Sequence, residues 1–167
     1  MELIIMRHSL AEDREEYKKK SSEDSLRPLT LKGRKKTQKV AMKLRDLIKE
    51  VDVIVSSPFT RARQTAEIVS QIFIETKVIE AAELVPSSPP QAFKRWLRAH
   101  GDEHKRILIV GHEPQLSAFA SFLMSGQTES LLEIKKSGLL CLKVDSFKNI
   151  APGTARLLWL LPPRYFI

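Results

Sequence analysis

The sequence predicts an α/β protein: a three-layer sandwich on a mainly parallel open sheet of about six strands, with helices on both faces and an antiparallel edge strand. Apolar runs of strand length recur at residues 3–6, 51–56, 77–80, 106–110 and 138–144, and a sixth lies at 154–161. Between most of them lie longer segments in which apolar residues recur at helical spacing. The last two runs follow each other without a strong helix between them, which predicts an antiparallel hairpin at one edge.

Leu3-Ile4-Ile5-Met6 forms the first strand and closes on Arg7-His8. Residues 12–26 are dense in Glu, Lys, Ser and Asp with almost no apolar face, so they read as a mobile loop or short exposed helix overhanging the end of that strand. A helix follows, with Leu31, Val40, Ala41, Leu44, Leu47 and Ile48 largely on one face. The second strand leads into Ser56-Ser57-Pro58-Phe59-Thr60-Arg61, a turn in which Thr60 is the expected N-cap. Ala62, Ala66, Val69, Ile72 and Phe73 form the inner face of the next helix. Residues 84–90, with three prolines, make a second rim loop. Ala92, Phe93, Trp96 and Leu97 then mark another helix. Ile107-Leu108-Ile109-Val110 closes on Gly111-His112, and Leu116, Phe119, Ala120 and Leu123 mark the last helical face. No repeat or linker divides the chain, so residues 1–167 are expected to form a single domain.

With 43% hydrophobic and 29% charged residues, the composition is that of a soluble globular protein. No apolar run approaches the roughly 20 residues of a membrane span. The first apolar segment has no basic region before it and ends at Arg7, so no signal peptide is expected and the cytoplasm is the default location. Cys141, the only cysteine, excludes an intramolecular disulfide and a cysteine-based zinc site, and its apolar neighbours place it in the core. His100 and His104 have metal-pair spacing, but Gly101 lies between them and no third ligand is near, so they read as exposed turn residues. No glycine-rich loop precedes a lysine, which argues against an ATP-dependent kinase. The net charge of +8 comes from basic clusters at 18–20, 32–39 and 95–106 without a nucleic-acid motif. These are mainly solvated helix faces, and they add electrostatic steering of an anionic substrate or an acidic protein partner.

In open α/β sheets ligands bind beyond the carboxyl ends of the strands. The first and fourth strands would therefore bring His8 and His112 together, with Arg7 beside them and Arg61 arriving on the first turn of a helix. A phosphoryl group in transfer spreads charge over its oxygens and needs fixed positive groups and amide donors. Arg7 and Arg61 suit this, since each guanidinium can grip two oxygens and stays protonated. His8, held by a strand end, is the candidate nucleophile, which must be neutral and tautomerically fixed. His112 would stabilise developing charge from across the phosphate, and Ser57 is close enough in sequence to add a hydroxyl. A lone histidine would read as a satisfied core residue. Two at equivalent strand ends, flanked by two arginines, read as a site.

Arg7-His8 after the first strand, the block Ser57-Pro58-x-x-Arg61-Ala62-x-Gln64-Thr65-Ala66, and Val110-Gly111-His112-Glu113-Pro114 together resemble the histidine phosphatase superfamily, the phosphoglycerate-mutase-like fold. The short length, Arg27-Pro28-Leu29-Thr30-x-x-Gly33 and the run after His112 are most similar to its small bacterial branch, the phosphohistidine phosphatases. The resemblance implies that His8 is transiently phosphorylated, that Arg7, Arg61 and His112 bind and stabilise the phosphoryl group, and that water hydrolyses the intermediate. It implies no metal or organic cofactor. It also makes Glu83 the candidate general acid, a role needing a raised pKa and mattering less for a labile P–N bond than for an alkoxide. Ser9 stands where the superfamily usually has glycine, and is expected to narrow the pocket or contribute a hydroxyl to it.

The leading expectation is a phosphatase acting on phosphohistidine in a protein. The short chain lacks large capping insertions, and its basic surface suits an acidic phosphoprotein. The enzymatic alternative is hydrolysis of small phosphomonoesters such as sugar or nucleotide phosphates at the same site. A different class of reading is a phosphate-recognition module without turnover. Nucleic acid and membrane are not expected partners, and no oligomeric state is assigned.

Overall fold

The structure is a computed structural model and describes residues 1–74 and 76–165. Strands β1 (Glu2–Arg7), β2 (Val53–Ser56), β3 (Lys77–Glu80), β4 (Arg106–Gly111), β5 (Leu139–Lys143) and β6 (Arg156–Leu161) form one sheet in the order β3-β2-β4-β1-β5-β6. The first four are mutually parallel, as expected, and β5 runs antiparallel to both of its neighbours. As expected, β5 and β6 form an antiparallel hairpin at one edge; within it β5 is the strand reversed against β1, and the edge strand β6 runs in the direction of β1. Residues 126–138 bring the chain to the end of the sheet where β1 finishes, with the Arg7 amide donating to the Gly138 carbonyl at 3.2 Å. A strand starting from that end can only run back against β1.

Alternation along the strands builds two cores. Leu3, Ile5, Val53, Val55, Ile107 and Ile109 face helices α4 (Pro90–His100) and α5 (Gln115–Ser125), meeting Phe93, Leu97, Phe119 and Leu123. Ile4, Met6, Ile54, Leu108 and Val110 face helices α2 (Leu31–Ile48) and α3 (Thr60–Ile72), meeting Val40, Leu44, Ala66 and Val69. With both faces covered, the central strands are apolar throughout, as parallel strands must be. Cys141 is buried in the second core, where burial pushes its thiol up to about 12, so it packs as a small apolar group.

Two expectations for α2 and α3 are corrected. Leu31 and Leu47 do not face the core; they are 78% and 57% exposed, because the buried stripe of α2 runs through Gly33, Thr37, Val40, Ala41 and Leu44. Thr60 is the first helical residue of α3, not its cap, and Phe59 occupies the cap position without a side-chain hydrogen bond. The segment 12–26 forms a short helix, α1 (Arg14–Lys18), capped by Asp13, and a 3₁₀ turn at Asp24–Leu26. His100 ends α4, its ring stacked on Trp96, and is not a turn residue.

The topology locates the site. After β1 the chain crosses to β2 over the face of α2, whereas after β4 it crosses the opposite way to β5 over the face of α5. Adjacent strands whose connections diverge open a crevice at their carboxyl ends. Gly33 draws α2 against that crevice: a Cβ there would lie 2.1 Å from the Leu10 carbonyl oxygen, two residues past His8. Gly33→Ala is therefore expected to lower stability by about 1–3 kcal/mol or more, read as a shift of the urea unfolding midpoint, and to weaken any activity that depends on the 8–10 segment.

Candidate functional site

His8 follows β1 and His112 follows β4, and the pairing of Arg7 with Gly111 sets these ends level. The His8 amide donates to the Gly111 carbonyl at 3.0 Å, and the two imidazole centroids lie 5.0 Å apart. β2 ends beside them, and the Ser57 amide donates to the Val110 carbonyl at 2.9 Å. Arg61, in the first turn of α3, is 4% exposed, and its Nε donates to His8 Nε2 at 3.3 Å. Arg7, His8, Arg61 and His112 line one cleft of about 750 Å³, together with Asp13, Arg14, Asp24, Arg27, Phe59, Pro86, Ser87, Glu113 and Lys136 among others.

A carbonyl partner fixes the tautomer of His8, and that of His112 is assigned from Ser57 acting as the donor. His8 Nδ1 lies 2.7 Å from the Ser9 carbonyl oxygen, which can only accept. The ring proton is therefore on Nδ1, and Nε2, next to Arg61, carries the lone pair. His112 Nε2 lies 2.9 Å from Ser57 Oγ, a hydroxyl that also accepts from the Phe59 amide at 3.4 Å. With that hydroxyl donating to Nε2, the His112 proton sits on Nδ1, a buried atom with no protein partner. Arg7 likewise spends Nη1 on the Ile134 carbonyl at 2.9 Å and leaves a buried Nε unpartnered. Buried donors without partners in one cleft mark a place for an anion to supply the acceptors.

Burial keeps both imidazoles neutral. It lowers His8 to about 3, opposed by the Ser9 carbonyl and reinforced by the charges of Arg61, Arg7 and Lys136. It lowers His112 to about 2, with His8 and Arg61 adding to the effect. Asp24 packs on the far end of Arg61, Oδ2 to Nη2 at 3.0 Å, while Arg61 Nη1 donates to the Asp24 carbonyl at 2.8 Å. Burial raises the Asp24 carboxyl, but the Arg27 hydrogen bond and the Arg61 charge outweigh it and hold the group below its usual range. Among the described residues no cluster of His, Cys, Asp and Glu could hold a metal ion.

Three residues sit differently from expectation. Ser9 does not reach the cleft: its hydroxyl is fully buried, donating to the Gly33 carbonyl at 2.9 Å and accepting from Ser137 Oγ at 2.7 Å. Ser57 is also fully buried, and its hydroxyl serves His112 instead of opening to a ligand. Glu83 lies on a 3₁₀ turn, Ala82–Leu84, half-buried and outside the residues that line the cleft. Sequence reasoning missed Asp24, Arg27, Glu113 and Lys136. Asp24 lay in a segment without periodicity and Lys136 in a connection without a motif, whereas Glu113 was adjacent to His112 and could have been weighed.

Two neutral buried histidines impose a pH dependence. Their folded-state pKa values lie below the unfolded value near 6.5, so the unfolded chain binds more protons as pH falls, and stability is lost through the window from about 6.5 toward about 3. Urea midpoints measured from pH 7.5 to 4.5 are expected to fall, and His112→Gln is expected to flatten that slope.

The family profile described as histidine phosphatase superfamily (branch 1) matches residues 3–85. An uncharacterized protein of Picosynechococcus sp. is 34% identical over 168 residues, covering 100% of this chain and 99% of that protein. The phosphohistidine phosphatase SixA of Escherichia coli strain K12 is 28% identical over 130 residues, 77% of each chain. A solved structure of the protein histidine phosphatase SixA complexed with tungstate superimposes with a TM-score of 0.84 at 25% identity, covering 100% of both chains. With its fold, its two strand-end histidines and these relatives in agreement, the chain belongs to the histidine phosphatase superfamily.

Proposed function

We propose that this protein, as one catalytic unit over its 167 residues, hydrolyses phosphohistidine in a protein through a phosphorylated His8. The observation that carries the reading is the state of His8. Its Nδ1 proton is committed to the Ser9 carbonyl, and its Nε2 lone pair faces the cleft's arginine. Nε2 attacks phosphorus while the P–N bond of the substrate breaks, its electron pair passing to the leaving nitrogen. A substrate imidazole protonated on its other nitrogen departs as neutral imidazole. Arg7 Nε, Arg61 and His112 Nδ1 supply positive charge and donors to the oxygens. Water then attacks the phosphohistidine of the enzyme, inorganic phosphate leaves, and His8 recovers its lone pair.

Substrate choice turns on the leaving group. Glu83, the expected acid, is not among the cleft-lining residues, and Asp24 is held ionised by its arginines, so neither favours protonation of an alkoxide. A phosphoramidate needs that acid least. The similarity to proteins described as phosphohistidine phosphatases supports the same choice. Glu113 favours a second reading, hydrolysis of small phosphomonoesters. It lines the cleft, burial raises its carboxyl against the Ser117 hydrogen bond and the Arg7 charge, and its Oε1 is buried without a partner.

Wild type is expected to release phosphate from a phosphohistidine-labelled protein and to carry acid-labile label, with both signals absent from His8→Ala. Retained turnover in His8→Ala would sink the covalent route. Glu113→Gln separates the two readings: loss of turnover of an alkyl phosphate such as glycerol 2-phosphate, whose alkoxide needs a proton, with phosphohistidine turnover retained assigns Glu113 as an acid for esters. Ser57→Ala frees the His112 tautomer and is expected to lower kcat about 10- to 100-fold, as loss of an orienting hydrogen bond does. Because His8 stays neutral down to about pH 3, kcat/KM is expected to lack an acid limb near pH 6.5 belonging to the nucleophile.

A further inference from the structure

Residues 134–138 form a strap pinned to the end of β1. Arg7 Nη1 donates to the Ile134 carbonyl, the Arg7 amide to the Gly138 carbonyl, and the Ser137 amide to the carbonyls of Arg7 and His8 at 3.2 and 3.3 Å. Ser137 Oγ closes the strap by donating to Ser9 Oγ. The tight geometry is enforced by the backbone: Ser137 has φ +64°, a left-handed conformation costly for a residue with a side chain, and a Cβ on Gly138 would lie 2.6 Å from the Lys135 carbonyl oxygen. Strained backbone of this kind persists where surrounding contacts hold it, often beside sites of function. One charged side chain of this strap lines the cleft, that of Lys136.

Among the described residues Lys136 is the lysine that lines the cleft. Lys18, Lys19, Lys20 and Lys135 each pair with a carboxylate, whereas no carboxylate of the described residues lies within ion-pair distance of Lys136. Its surroundings are mainly cationic. Burial and the neighbouring charges of Arg7, Arg27 and Arg61 lower its pKa, opposed by Asp13, and its own charge helps to keep His8 neutral. Like-charge repulsion at this exposed ammonium, eased by Asp13, is a modest cost in the free protein. An incoming dianion removes that cost.

Resting on the reading of this cleft as a phosphoryl site, we propose that Lys136 is a further substrate-binding residue, contributing a fifth polar contact, beside Arg7, Arg61, His112 and the nucleophile, to the oxygens of the phosphoryl group on its Arg7 side. A lysine suits this place because a compact point charge on a flexible stem can follow phosphorus as it moves from the leaving group to His8 Nε2, which a fixed guanidinium fork does less well. The strap ties the backbone on either side of Lys136 to that of the nucleophile, so the flexible stem starts from a fixed place. Ser9 acquires a purpose on the same view: its hydroxyl is the anchor for Ser137, and glycine at this position would leave the strap with one hydrogen bond fewer.

Tungstate affinity, measured by calorimetric titration, tests the proposal without dependence on turnover. Lys136→Met and Lys136→Gln are each expected to weaken tungstate binding at least about tenfold, the loss of one charge-assisted contact. Lys136→Arg is expected to stay within about threefold of wild type, with thermal midpoints of the neutral variants at or slightly above that of wild type because they remove like-charge repulsion. A pH profile provides the second readout, since the neutral variants are expected to raise the His8 pKa. Tungstate affinity within twofold of wild type in both neutral variants overturns the Lys136 assignment while leaving the phosphoryl site standing. Failure of the wild type itself to bind tungstate overturns the phosphoryl site, and Lys136 with it.

Discussion

The parallel register of β1 on β4 is the constraint on which the site depends. Arg7 lies opposite Gly111, so the next residue on each strand is a histidine, and the hydrogen bond from the His8 amide to the Gly111 carbonyl continues the ladder one step beyond the strand ends. A slip of one residue would turn every side chain of β1 to the other face. It would exchange Leu3 and Ile5 for Ile4 and Met6 between two fully packed cores, and it would carry His8 away from His112. The apolar interior therefore protects the geometry of a polar site that it does not touch.

Around that pair the protein gathers five cations and four carboxylates in one cleft, with Asp24 paired to three of the arginines. Arg7, Arg14, Arg27, Arg61 and Lys136 line the cleft, and Asp24 takes up the far ends of Arg61. Asp24 does two things there: it orients the guanidinium while Nε addresses His8, and it occupies the terminal donors of Arg61. Burial keeps the two imidazoles of that cleft uncharged. Desolvation is the largest influence on both imidazoles, and the nearby positive charges act in the same direction. The fold thus obtains two unprotonated imidazoles and an arginine-lined cleft from the same arrangement.

Two fully buried serines show how side chains away from the ligand set what the ligand meets. Ser57 hands His112 its tautomer, and Ser9 connects the nucleophile's strand to α2 through Gly33 and to the strap through Ser137. Both hydroxyls are satisfied inside the protein, which is why neither lines the cleft. A residue following the histidine could be glycine only at the loss of those ties. Ser9 adopts no positive φ, so its side chain costs no backbone strain.

By itself the sequence determined the layered α/β class, the strand ends that carry Arg7, His8 and His112, and the helix start that carries Arg61. Each of these rests on local information: runs of apolar residues, their period, and the residue that follows each run. Tertiary structure alone decided the rest, because it concerns residues far apart in the chain. The inner placement of β5 follows from where residues 126–138 cross the sheet, and the exposure of Leu31 and Leu47 from which face of α2 Gly33 can bring against Leu10. Asp24 on Arg61 and Ser57 on His112 are contacts across 37 and 55 positions, Lys136 shares the cleft of His8, and no spacing rule reaches them. Periodicity reports which way a side chain faces within its own element; only the packing of elements decides what it meets.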